Sequence, residues 1–279
     1  MNNTILVLID GLRSDAITQA HTPAMDCLMA SGTFCLTGQT VEPSLTLPAH
    51  FSLFTSLPPY SHGVLTNTGL PDMSAAGQSL FAHLKAWGKS CAAFYSWEHL
   101  RNLALPGHVD YSHLQKLCME NDLEMIGGAA ARHITTRRPD FTFVYLEWAD
   151  VAGHIHGWMS DPYLDAVSRC DHVLGKIVDA AKTADKKGTC FNLVVLSDHG
   201  GCGQHHNTTG HPDVLTIPFI AYGKPVRKGY RLAGPVSILD IAPTIAKLMD
   251  IQPHPEWEGN LISDIFVPSF CKVPMMRLG

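Results

Sequence analysis

The places where this chain's apolar runs stop constrain its fold more than any other feature. Three short runs rich in apolar and β-branched residues, Thr4 to Ile9, Phe141 to Leu146 and Phe191 to Leu196, each lead into acidic residues. Runs of this kind predict strands covered on both faces rather than strands with one wet side. The first ends in Asp10-Gly11. The second passes Glu147 and reaches Asp150, with His154 four residues on, and the third ends Ser197-Asp198-His199-Gly200. A fourth run, Phe219 to Tyr222, stops at Gly223. Helical patterns fall between the strands. Thr22-Pro23 reads as a cap with proline in the first turn, and Gly32 ends that helix. Leu80, Leu84 and Trp87 share a stripe before Gly88, and Asp161-Pro162 opens a long helix closing near Gly188. Ile238, Ile241, Ile245 and Leu248 repeat at helical spacing. Strands alternating with helices predict an α/β fold, a mostly parallel central sheet flanked by helices on both faces. The stretch 70–139 shows few buried strands and is expected to form a small cap insertion. With no linker, repeat or low-complexity segment, residues 1–279 read as a single domain.

In an open parallel sheet the C-terminal strand ends lie along one edge, where ligands bind. Asp10, Asp150 and Asp198 are therefore expected to converge there, with His154 and His199. Carboxylates so close raise one another's pKa unless a cation sits among them. Mixed Asp and His donors suit Zn²⁺, or Mn²⁺, better than Ca²⁺. Each residue alone has a plainer reading: Asp10-Gly11 is a common turn, Asp150 a helix cap, Asp198-His199-Gly200 an ordinary connection. The conjunction favours a metal site, and sixteen histidines fit such chemistry.

Composition narrows the rest. A net charge of −5 argues against binding a nucleic-acid polymer, and 46 % hydrophobic residues argue against disorder. No apolar run approaches the length of a membrane span, and Met1-Asn2-Asn3-Thr4 lacks the basic region of a secretion signal. Eight cysteines without a Cys-x-x-Cys pair read as reduced thiols, and a cytoplasmic location is expected. The oligomeric state stays open.

Taken in order, these motifs resemble the alkaline phosphatase superfamily, and within it the type I phosphodiesterase/nucleotide pyrophosphatase branch. Asp10-Gly11-Leu12-Arg13 is similar to the branch's first ligand motif, and Ser44-Leu45-Thr46-Leu47-Pro48-Ala49-His50 to its nucleophile motif. Asn67 falls where the branch keeps a phosphate-binding asparagine. Glu147-x-x-Asp150-x-x-Gly153-His154, Ser197-Asp198-His199-Gly200 and Thr209-Gly210-His211 match later ligand motifs, and Asp240 to Thr244 the near-terminal helix start. The resemblance implies an alkaline phosphatase-like catalytic domain with two divalent ions, Zn²⁺ first and Mn²⁺ second. Asp10, Thr46, Asp198 and His199 would hold one ion; Asp150, His154 and His211 would hold the other. Thr46 would be the nucleophile, forming a phospho-threonine intermediate, with Asn67 on the substrate. A threonine hydroxyl needs a metal to act as nucleophile at neutral pH, and two cations about 4 Å apart suit in-line displacement. Without those ligands, Thr46 is merely a helix cap.

The sulfatase signature Cys-x-Pro-x-Arg is replaced here by Thr46-Leu47-Pro48-Ala49-His50. No arginine neighbours Thr46, which favours a diester or pyrophosphate monoanion over a monoester dianion, unless Arg101 or Arg132 arrives from the insertion. The expected activity is hydrolysis of small phosphodiesters or nucleotide pyrophosphates. Phosphonate (phosphonoacetate-type) hydrolysis, phosphomonoester hydrolysis, and a metal-binding protein whose catalysis has lapsed are the alternatives. Tyr95, Trp97 and Tyr163 read as packing aromatics before base-stacking ones. His205 and His206 fit a polar glycine-rich loop as well as a substrate contact, and Arg13 reads as packing or an ion pair under the site.

Overall fold

The computed structural model describes residues 2–68, 75–117, 121–185 and 190–271. Eight strands form one sheet: β1 (Asn2–Ile9), β2 (Thr33–Gln39), β3 (Cys91–Tyr95), β4 (Tyr111–Leu114), β5 (Phe141–Leu146), β6 (Cys190–Leu196), β7 (Thr216–Tyr222) and β8 (Tyr230–Arg231). Their spatial order is β4-β3-β5-β1-β6-β7-β2-β8. β1 lies between β5 and β6, parallel to both, with Ile9 opposite Leu146 and Leu8 opposite Leu196. β7 alone runs antiparallel to its neighbours β6 and β2. The three acid-tipped runs are thus adjacent and point the same way.

Ten helices are described: α1 (Pro23–Ser31), α2 (Thr46–Thr55), α3 (Pro59–His62), α4 (Leu80–Ala86), α5 (Asn121–Thr136), α6 (Trp148–His156), α7 (Asp161–Asp185), α8 (Pro212–Leu215), α9 (Ile241–Leu248) and α10 (Pro268–Cys271). The pleat sorts β1 between two cores. Leu6 and Leu8 pack with α2, α4 and α9, and Ile5, Val7 and Ile9 with α1, α5, α6 and α7. No described helix is long and apolar enough to cross a membrane.

Residues 70–139 depart from the expected cap. Their described parts supply α4 and α5 to the two helical layers and β3 and β4 to the sheet, where β3 pairs with β5. Two alanines make β3 a weak apolar signal, and β4 is a largely exposed edge of mixed residues. Residues 69–74 and 118–120, and the expected Gly188 stop, lie outside the described residues.

Capping of α1 also departs from expectation. The Thr22 hydroxyl donates to the Ile17 carbonyl at 3.0 Å instead of capping the helix. The free amides of Ala24 and Met25 donate to the two carboxylate oxygens of Asp171, at 2.9 and 2.8 Å, from the neighbouring α7. One buried carboxylate thus binds two helices together. Asp171→Ala is expected to lower the unfolding free energy by roughly 2–3 kcal/mol. A urea melt with an unchanged midpoint would show that these bonds contribute nothing.

Candidate active site

Each acidic residue reaches the site along its own strand. β1 delivers Asp10 and then turns at Gly11, whose φ of +66° favours glycine. A Cβ there would also lie 3.0 Å from the Asp150 Cα, so the same glycine lets α6 approach. β5 ends at Leu146 and α6 starts after Glu147, with Asp150 in the first turn and His154 one turn on. β6 ends in Ser197-Asp198-His199, whose Ser197 hydroxyl accepts from the Leu12 amide at 2.9 Å and ties this end to the Asp10 turn.

Each carboxylate then has one oxygen without a hydrogen-bond partner. Asp10 accepts the Tyr145 hydroxyl on Oδ2, leaving Oδ1. Asp198 accepts the Gly11 and His199 amides on Oδ1, at 3.3 and 3.0 Å, leaving Oδ2. Asp150 Oδ1 is bare as well, and its Oδ2 faces His154 Nε2 at 3.5 Å. Orphaned buried oxygens are rare and call for an ion or water. Burial, then the charge of Asp198, holds the carboxyl groups of Asp10 and Asp150 well above the usual carboxylate range. A divalent cation relieves both penalties at once, so the residues fit the metal that the motifs imply.

The histidines sort by tautomer. A backbone carbonyl can only accept, so a ring nitrogen bonded to one carries the proton. His199 donates from Nδ1 to Gly200 O at 2.9 Å, His206 to Ser44 O at 2.8 Å, and His154 to Gln204 O at 2.9 Å. All three therefore turn Nε2 away from the backbone bond and toward the site, the arrangement of a metal-ligating histidine. His199 Nε2 lies 3.3 Å from Asp10 Oδ1 and 3.5 Å from Asp198 Oδ2. His206 Nε2 is 4.0 Å from Asp150 Oδ1. Burial pushes the pKa of His199 down to about 4 and that of His206 to about 3, which keeps both neutral and able to ligate. Donor atoms of Asp10, Asp198 and His199 lie within 4.8 Å of one another, as do those of Asp150, His199 and His206.

His211 is the expectation that the geometry corrects. Its Nδ1 accepts the Asp213 amide at 3.2 Å as the cap of α8, and its ring groups with Cys202 and Asp213 instead. The position expected for His211 beside Asp150 is filled by His206. The loop after β6 folds back early, with the Ser44 hydroxyl donating to His206 O at 2.6 Å and the two rings of His199 and His206 stacked 3.8 Å apart. Sequence offered only the adjacency of His205 and His206 to Asp198 as a signal. His50 was also missed as a site residue. It is fully buried, donates from Nδ1 to Thr46 O at 2.7 Å and faces Asp198 Oδ2 at 3.6 Å.

Thr46 is the first residue of α2, and its hydroxyl lies 3.5 Å from His199 Nε2. Every residue of α2 is buried. Asn67 accepts the Leu47 amide at 2.8 Å, which orients its side chain beside the helix N-terminus. The expected aromatics and Arg101 are otherwise engaged. Tyr163 is buried with its hydroxyl on Gly11 O, Tyr95 bonds Ser112, Trp97 stacks on His99, and Arg101 pairs with Glu98. Arg13 pairs with Asp15 and Asp213, as an ion pair under the site should.

The sequence profile of the type I phosphodiesterase/nucleotide pyrophosphatase family matches residues 4–79 and 89–207. The chain belongs to that family. It is 27 % identical over 220 residues to ectonucleotide pyrophosphatase/phosphodiesterase family member 1 of Rattus norvegicus, covering 71 % of this chain and 24 % of that protein. The Homo sapiens counterpart is 28 % identical over 232 residues, covering 71 % and 23 %. The chain thus spans about a quarter of the length of the curated relatives it matches. Its fold superposes on inactive murine ectonucleotide pyrophosphatase/phosphodiesterase 5 in complex with AMP, with a TM-score of 0.80 at 15 % identity, covering 96 % of this chain and 100 % of that one.

Two measurements check the site. Chelating divalent ions is expected to lower Tm by roughly 5–10 °C, since saturation at about 100 Kd contributes ~2.7 kcal/mol and each kcal/mol is worth about 2–4 °C in a chain of this size. His206→Ala is expected to lose one ion equivalent by elemental analysis while His211→Ala keeps both. Loss of an ion from His211→Ala would restore that residue as a ligand.

Proposed function

We propose that this chain hydrolyses small phosphodiesters or nucleotide pyrophosphates at a two-cation site, through a phospho-threonine intermediate on Thr46. The observation that carries the reading is the set of orphaned carboxylate oxygens and imidazole nitrogens gathered beside the Thr46 hydroxyl. Asp10, Thr46, Asp198 and His199 would hold one ion, and Asp150, His154 and His206 the other. Bound there, divalent cations would supply Lewis-acid charge that lowers a hydroxyl pKa and neutralises phosphoryl oxygens. Three carboxylates with three imidazoles suit Zn²⁺ first and Mn²⁺ second.

The chain's own groups do the rest. α2 carries the Thr46 hydroxyl at its N-terminus, where the amide of Thr46 itself is the backbone donor left for a phosphoryl oxygen, since the Leu47 and Ala49 amides are bonded and Pro48 has none. Asn67, oriented by the Leu47 amide, donates to a second oxygen. Thr46 Oγ, having lost its proton, bonds to phosphorus as the ester oxygen leaves, and water then cleaves the new P–O bond to return threonine. A diester monoanion asks less compensating charge of this pocket than a monoester dianion. The AMP complex of the murine relative supports a nucleotide-type substrate.

On metal-reconstituted protein, bis(p-nitrophenyl) phosphate is expected to turn over faster than p-nitrophenyl phosphate, and EDTA to abolish both. Thr46→Ala is expected to lower kcat by at least about 10³-fold while retaining bound metal. Undiminished turnover in that variant removes the nucleophile assignment, and a preference for the monoester overturns the diester reading.

A further inference from the structure

Three separate segments carry the histidines and carboxylates of this site, and one side chain touches all three. Trp158, two residues beyond α6, is 7 % exposed. Its indole N–H donates to Gly11 O at 2.8 Å, the carbonyl of the turn directly after Asp10. That same oxygen accepts the Tyr163 hydroxyl at 2.8 Å. The ring fills the space beside two glycines. A Cβ on Gly153 would sit 2.6 Å from Trp158 Cε2, and one on Gly201 2.2 Å from Cδ2. Gly153 precedes His154 in α6, and Gly201 follows His199 in the loop that carries His206. The ring meets His154 edge-on at 5.1 Å and His206 at 6.0 Å. The Trp158 amide in turn donates to Gly203 O in that loop at 2.7 Å.

We infer that Trp158 is the positioning residue of the second cation site, its indole setting how His154 and His206 converge on Asp150. The inference rests on the two-cation reading. The Nδ1 protons of both histidines are held by backbone carbonyls, which fix each ring's tautomer, and the indole limits how far either ring can tilt. Supporting contacts of this kind are worth about 10–100-fold in metal affinity. Toward the Asp10–Asp198–His199 set the indole reaches the Gly11 carbonyl, where Tyr163 supplies a second donor, and the backbone at Gly201, whereas it packs directly on the rings of His154 and His206. Loss of the ring therefore acts unequally on the two sites.

The test is titration of metal-free protein with Co²⁺, following its visible absorption and competition with a chelator. Wild type is expected to bind two equivalents. Fewer than two in wild type defeats the two-cation reading itself, and this inference with it. In Trp158→Leu, one equivalent is expected to weaken by about 10–100-fold with an altered spectrum, the other holding its wild-type affinity and spectrum. Trp158→Phe retains an aromatic ring and is expected to recover part of the loss, staying about three- to tenfold weaker at that equivalent. Weakening of both equivalents alike, or a lower Tm with both affinities unchanged, assigns Trp158 a purely structural role and overturns the inference. Should the leucine variant fail to fold, the phenylalanine variant decides, since wild-type binding of both equivalents there also overturns it.

Discussion

Three carboxylates buried within reach of one another dominate this structure. In a site shielded from water, each such charge is costly unless paired or neutralised. The surroundings satisfy only half of the demand. Tyr145, Gly11 and the His199 amide fill one oxygen on Asp10 or on Asp198, and leave the facing oxygen bare. A fold that needed these residues only for stability would have completed their hydrogen bonds. Leaving them incomplete makes the strand ends a receptor for positive charge, and the neighbouring imidazoles, neutral through burial, do not compete for that role.

The sheet makes this concentration of charge possible. β5, β1 and β6 are neighbours and parallel, so their C-terminal ends meet without any long loop having to fold correctly first. The antiparallel β7 lies beyond them and leaves this edge undisturbed. Strand pairing thus sets the coarse positions of Asp10, Asp150 and Asp198. Small residues set the fine ones, with Gly11 admitting α6 and Gly153 and Gly201 admitting Trp158.

What could be read from sequence follows the same division. The central strands were legible because they are buried on both faces and so are continuously apolar. β2, β3 and β4 were not. β2 alternates buried and exposed positions, β3 is short and alanine-rich, and β4 is an exposed edge, so the stretch around β3 and β4 read as an insertion. The convergence of Asp10, Asp150, His154, Asp198 and His199 was legible because each closely follows a strand end, whereas Thr46 entered only through the resemblance of its motif, its plain reading being a helix cap. His206 was not legible. It lies in an irregular loop whose course is set by tertiary bonds to Ser44, and no periodic pattern encodes that path. The same holds for Trp158 and for Asp171, which caps a helix more than a hundred residues away.

The burial of α2 along its whole length has a consequence for dynamics. A hydroxyl on an exposed loop would have to find its attacking geometry anew at each turnover. Thr46 instead rides on a helix wedged into the core, with His50 on its carbonyl and Phe51 and Phe54 locked beneath. Under the proposed mechanism, the orientational entropy of the attacking atom is surrendered once, during folding. In the proposed reaction, rearrangement falls to the incoming ester or to the more exposed side of the pocket around His154, for the threonine sits on a stiff mount.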